Sequence, residues 1–136
     1  MDIMARSAAA SSGVRPMAVG ALLIGLVTAM PSPAADLAAG QKLFAKCRIC
    51  HTVAAGAAST VGPNLHGVFG RKAGSLADFD YSPAMKASGI TWNDDTLANY
   101  LRDPKAFIPD NRMAFPGIKN DQQLANLIAF LKQPAE

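Results

Sequence analysis

From Asp36 onward the apolar positions fall into short helical stripes, separated by stretches with no sustained period. Asp36 is suited to capping a helix N-terminus, and Leu37, Gly40, Leu43 and Phe44 follow at spacings that share a helix face. That helix is expected to run into the segment beginning at Cys47. At the other end, Asn120 and Gln123 form a variant of the capping box, and Leu124, Leu127, Ile128 and Leu131 supply a second stripe, closed by Pro134. A third helix is expected from Thr91-Trp-Asn-Asp94, with acidic residues favourable in its first turn, an inner face of Leu97, Tyr100 and Leu101, and a stop at Pro104. Ser82-Pro83 is a helix-start pair for a shorter segment through Lys86. Residues 52–80 are rich in Gly and aperiodic, so they are expected to be loop. The pattern predicts an all-α fold with long loops. Its two terminal helices cross, and Gly40 lets one backbone approach the other closely.

The first 34 residues follow a different pattern. Arg6 and Arg15 precede an apolar run from Met17 to Met30, and Ser32 and Ala34 then place small residues two apart. A basic start, a short apolar stretch and a small-residue exit mark a secretory signal. The run has 14 residues, whereas a membrane span takes about 20, so cleavage and export are expected over retention as an anchor. The predicted organisation is a cleaved signal over 1–34 and one domain over 35–136.

Cleavage leaves a chain of 102 residues, a size at which an apolar core alone is hard-pressed to hold a fold and a cofactor or disulfides commonly help. Without Arg6, Arg15 and Asp2 the chain has 11 basic and 9 acidic residues, a net charge of +2. That balance, with charges placed singly, argues against nucleic acid as a partner. Both cysteines of the chain stand in one pentapeptide and cannot staple distant segments together.

That pentapeptide is Cys47-Arg-Ile-Cys50-His51. Two thiols three residues apart can add to two vinyl groups of a haem, and a histidine directly after the second can swing beneath the ring to bind iron. Cys-x-x-Cys-His is the attachment signature of a c-type haem. A redox dithiol belongs in a strand–helix setting, and no strand-like alternation is present nearby. A zinc site needs four ligands, and the chain's other histidine is His66. One covalently attached haem c is therefore the expected cofactor.

The order of motifs resembles the class I c-type cytochromes, in particular the mitochondrial-like and cytochrome c2 group. The matching pieces are Gly40–Phe44, Cys47–His51, Gly62-Pro-Asn-Leu-His-Gly67, Phe69–Lys72, Gly89–Trp92, Tyr100-Leu101, Pro104-Lys105, Ile108-Pro109 and Arg112–Ile118. They cover the chain from about Asp36 to Gln133. The resemblance implies a small cytochrome c fold whose loops wrap the haem.

His51 is one axial ligand. For the other, the residues themselves offer Met85, Met113 and His66. Met85 sits just inside a helix start, where methionine commonly fills core space, whereas Met113 lies in a Pro-bounded irregular loop. The resemblance places the ligand at Met113, the His/Met pairing of cytochromes c. It also implies that the Pro63 carbonyl holds the free N–H of His51, that Tyr100 donates its hydroxyl near the Met113 sulfur, and that Arg71, Tyr81 and Trp92 hold the haem propionates. Two positions depart from the family. Asn111 stands where a threonine is usual, and Met85 where a polar residue is common.

Two axial ligands leave iron no open position, so an electron carrier is expected and not an enzyme. The implied partners are redox proteins, among them a cytochrome bc complex, a terminal oxidase, a photosynthetic reaction centre or a periplasmic dehydrogenase. They are expected to dock transiently at a basic rim of Lys46, Lys105, Arg112 and Lys119. A monomeric, soluble, periplasmic shuttle is the expected form.

Overall fold

Asp36 starts the fold as the sequence predicts: its carboxylate accepts the Ala39 N–H at 3.1 Å and caps α1, Leu37–Phe44. The computed structural model describes residues 33–133, with Gly13 isolated before them, and 33–133 fall within the unit Ser32–Glu136. The expected signal segment and Pro134 thus lie outside the described residues, apart from Gly13, Pro33 and Ala34. Four further helices follow: α2 (Pro83–Ala87), α3 (Asp94–Arg102), α4 (Pro104–Phe107) and α5 (Asp121–Leu131). Among the described residues no helix is long and apolar enough to cross a membrane.

The caps explain the boundaries. Ser82 accepts the Met85 N–H, and Asn93 and Thr96 exchange bonds in a reciprocal box. Asn120 accepts the Gln123 N–H, but Gln123 returns no bond to Asn120, so half of the expected box is made. Pro104 ends α3 and also opens α4, a helix the apolar pattern does not predict. Its Asp103 side chain caps Ala106, and proline fits the first helical turn, where no N–H is needed.

The helices of the two ends pack as expected. Gly40 lies against α5 so closely that a Cβ there would stand 2.8 Å from the Asn126 carbonyl carbon and 2.9 Å from Phe130 Cβ. Phe44 is fully buried with its ring 5.2 Å from Phe130. The Asp36 N–H donates to Asn126 Oδ1 at 2.9 Å and ties the start of α1 to the middle of α5. α3 packs on α5 and α4, burying Leu97, Tyr100 and Leu101 with Leu124, Leu127 and Leu131.

The long connection from 45 to 81 holds no helix, but it is not featureless. Gly70 N–H bonds the Trp92 carbonyl, Trp92 N–H the Arg71 carbonyl, and Ala73 N–H the Ile90 carbonyl, at 2.7 to 2.9 Å. They build a short antiparallel pairing around a Lys72–Thr91 bridge. Asn64, buried, closes the preceding loop by donating to Ala54 O and Ala57 O at 2.9 and 2.7 Å.

Candidate functional site

The end of α1 passes directly into the pentapeptide. Cys47 N–H bonds the Phe44 carbonyl, and the Cys50 and His51 N–H groups both bond the Cys47 carbonyl, at 3.0 and 2.9 Å. That tight turn brings the two thiols and the imidazole into one stretch anchored on the buried Phe44. Both cysteines are partly exposed, and no disulfide joins them. Burial raises the Cys47 pKa, reinforced by Cys50 and opposed by the Lys46 charge.

A second strand of chain fixes the pentapeptide from the other side. The Cys50 carbonyl accepts both the Gly62 N–H and the Thr60 hydroxyl, each at 2.7 Å. The next residue, Pro63, accepts the His51 Nδ1–H at 2.8 Å. With Nδ1 carrying the proton, Nε2 is the nitrogen with a free lone pair. Burial pushes the His51 pKa down, with the Pro63 bond opposing, which favours the neutral ring that a metal needs. Gly62 is the residue sequence reasoning left without a role. A Cβ there would meet His51 Cε1 at 2.5 Å and Nδ1 at 2.7 Å, so the bare backbone is what allows the ring to lie against this loop. Nothing in the local sequence signals that clearance.

Tyr100, on the inner face of α3, is buried, and its hydroxyl donates to Met113 Sδ at 3.8 Å. Burial raises its pKa to about 12, so it remains a donor across the ordinary pH range. Met113 is partly buried against the core. Met85, the other candidate, lies on α2 and also packs against the core. His66 is a packing residue, its Nδ1 paired with the Val53 carbonyl at 3.1 Å.

The three residues expected at the propionates are brought near one another in part. The Trp92 ring is 5.1 Å from Tyr100, and its backbone N–H bonds the Arg71 carbonyl. Arg71 lies close enough to Tyr81 for its charge to oppose the rise that burial gives the Tyr81 pKa. No hydrogen bond joins the three side chains to each other. The Arg71 guanidinium donates to Asn64 O at 2.9 Å and His66 O at 3.4 Å, holding the loop that precedes it.

The basic rim is not a free ring of charge. Lys119 pairs with Asp103 at 3.1 Å, Arg112 with Asp80 at 3.2 Å, and Lys105 donates to the Asn111 carbonyl. Lys46 has no ion pair among the described residues. Exposed pairs of this kind damp the local field more than they stabilise the fold.

A thioether-ready thiol pair, an imidazole with one nitrogen reserved and a buried-hydroxyl-bound methionine are a donor set that fits a haem. The comparisons agree. The chain matches the cytochrome c family over residues 37–134. It is 47% identical over 103 residues to a cytochrome c2 of Blastochloris viridis, covering 76% of this chain and 81% of that one. It is 50% identical over 96 residues to a cytochrome c-550 of Bradyrhizobium diazoefficiens, covering 71% of each. A cytochrome c of Nigella damascena is 47% identical over 103 residues, covering 75% of this chain and 93% of its own. With its helical fold and these matches, the chain belongs to the cytochrome c family of electron carriers, which hold one covalently attached haem c.

Proposed function

We propose that the protein is an exported single-electron carrier, its haem tethered through thioethers at Cys47 and Cys50 and ligated by His51 and Met113. The observation that carries this reading is the Tyr100 hydroxyl on the Met113 sulfur, a polar hold that a methionine merely filling the core does not need. When bound, the haem supplies an iron that exchanges one electron between its ferrous and ferric states.

The chain's own residues set the terms of that exchange. The Pro63 carbonyl keeps the His51 ring in one tautomer and orientation, raising its basicity toward the metal. Tyr100 holds the sulfur in place. A thioether ligand and burial together favour the ferrous state and raise the potential. Arg71, Tyr81 and Trp92 serve the propionate side. Held by Pro63 and Tyr100, His51 and Met113 would both serve as ligands and would leave the iron no position for substrate, which supports a carrier and not an enzyme.

Carbon monoxide tests this directly. The visible spectrum of the reduced, haem-loaded protein is expected to be unchanged by the gas. Rapid stoichiometric binding would mean an open sixth position, and a gas-binding or peroxidase-like role would replace the carrier.

The cellular half of the reading is a monomeric shuttle in the periplasm. It would serve a cytochrome bc complex with a terminal oxidase, a photosynthetic reaction centre or a periplasmic dehydrogenase. The N-terminal signature supports it, and N-terminal sequencing of protein from cells is expected to start near Ala35. An intact Met1 in the membrane fraction would show an anchored protein instead. On this reading, docking uses the rim of Lys46, Lys105, Arg112 and Lys119, with Lys46 its least encumbered charge. An unchanged salt dependence of electron exchange in Lys46→Glu would remove that residue from the face.

A further inference from the structure

Asn111 stands two residues before Met113 and is 3% exposed, yet every polar atom of its side chain is used. Its Nδ2 donates to the Pro104 and Ile108 carbonyls, each at 2.7 Å. Its Oδ1 accepts the Met113 N–H at 2.9 Å and lies 3.4 Å from the Tyr100 hydroxyl, whose single proton it shares with the Met113 sulfur. Its own backbone carbonyl accepts from Lys105. One side chain thus joins the start and the end of α4 to the backbone of Met113.

The flanking residues show that the segment is held there against local preference. Asp110 has φ +63°, the left-handed region that a non-glycine residue enters at a cost. On the far side Arg112 bonds both the carbonyl and the carboxylate of Asp80, at 3.2 Å each, but that pair is exposed and contributes little. The buried bonds therefore carry the positioning. A threonine here would have one donor and could not serve two carbonyls. The asparagine side chain is thus a clamp on the loop.

We propose that Asn111 is a positioning residue that latches the Met113 segment to the α4 turn and holds the methionine sulfur at the sixth coordination position. This rests on the reading of Met113 as the axial ligand. Without the latch the rest of the fold stays closed, while the loop opens locally and releases the sulfur more often.

The test uses the haem-loaded ferric protein with imidazole as the probe, since imidazole binds iron only when methionine leaves. Asn111→Ala is expected to bind imidazole about tenfold more tightly, a change of the size that losing one or two buried hydrogen bonds produces, and to show a weaker far-red charge-transfer band of methionine-ligated ferric haem. Asn111→Thr keeps one donor, is the safer variant to fold, and is expected to fall between. Leu127→Ala is the control: Leu127 is 1% exposed on α5, so this change lowers global stability and leaves every Asn111 hydrogen bond its partners. It is expected to leave the imidazole affinity close to that of the unaltered protein. The proposal is overturned if Asn111→Ala and Asn111→Thr bind imidazole as the unaltered protein does. It is equally overturned if Leu127→Ala raises the affinity as much as they do for the same loss of stability. If the unaltered protein lacks the far-red band altogether, the Met113 ligation falls, and the latch with it.

Discussion

Gly40→Ala is expected to destabilise the haem-loaded protein by about 3 kcal/mol, at the upper end of the cost of overpacking a well-packed interface. The obstacle is backbone. The added methyl would overlap the Asn126 carbonyl oxygen and stand 2.8 Å from its carbon, and neither atom can rotate away as a side chain can. Relief requires α1 and α5 to part. Parting them opens the stack of Phe44 on Phe130 and weakens the bond from Asp36 N–H to Asn126 Oδ1. α1 has 8 residues, well short of the roughly 12 to 15 that sustain a helix alone in water, so it exists because α5 is there to cover it. One effect opposes the loss: alanine is the better helix former by about 1 kcal/mol. The steric term is larger, because it is shared by every contact along the crossing. Urea unfolding of the two proteins measures the difference. A variant as stable as the parent would mean that the helices can separate freely, and that the crossing does not hold the two ends of the chain together.

That crossing was legible in the sequence because it depends on local signals. Asp36, Ser82 and Asn120 each cap the helix that their position announces, and a glycine four residues before a phenylalanine on an apolar stripe marks a close approach. α4 was missed for an instructive reason. Asp103-Pro104 is a stop for α3 and, read forward, an equally good start, since an aspartate cap and a proline in the first turn are what a helix N-terminus accepts. The loops were the opaque part. Residues 45–81 are shaped by Asn64 on Ala54 and Ala57, by Arg71 on Asn64 and His66, and by the pairing of 70–73 with 90–92. Such bonds link residues with no periodic relation, so hydrophobic spacing cannot report them.

The site divides along the same line. The Cys47–His51 turn and the His51–Pro63 bond follow from a contiguous motif and from family resemblance. The clearance that Gly62 gives the His51 ring was invisible without coordinates, as were the four bonds of Asn111 and the internal partners of Lys105, Arg112 and Lys119. Charges counted in a sequence carry no record of which carboxylates lie beside them.

The double variant Cys47→Ala/Cys50→Ala is expected to lose most of its helical circular dichroism along with its haem. The five helices among the described residues have 8, 5, 9, 4 and 11 residues, none of a length that stands alone, so each depends on a surface supplied by something else. α1, α3, α4 and α5 supply surfaces to one another. Residues 45–81 have no helix to offer, and a chain of this size gains a smaller share of burial from folding than a larger one. Removing the thioethers also removes the constraint that keeps the cofactor in place while the loops close, so the binding energy that ordinarily offsets loop ordering is lost with it. The collapse is predicted to be unequal. The α1–α5 pair, held by Phe44, Leu127 and Phe130, keeps the most residual structure, and the segment carrying Pro63, Arg71 and Tyr81 keeps the least. Hydrogen exchange on the haem-free variant measures that order. A haem-free protein with native ellipticity and one cooperative thermal transition would show that the helices and loops suffice by themselves. The covalent link would then serve retention of the cofactor and not the fold.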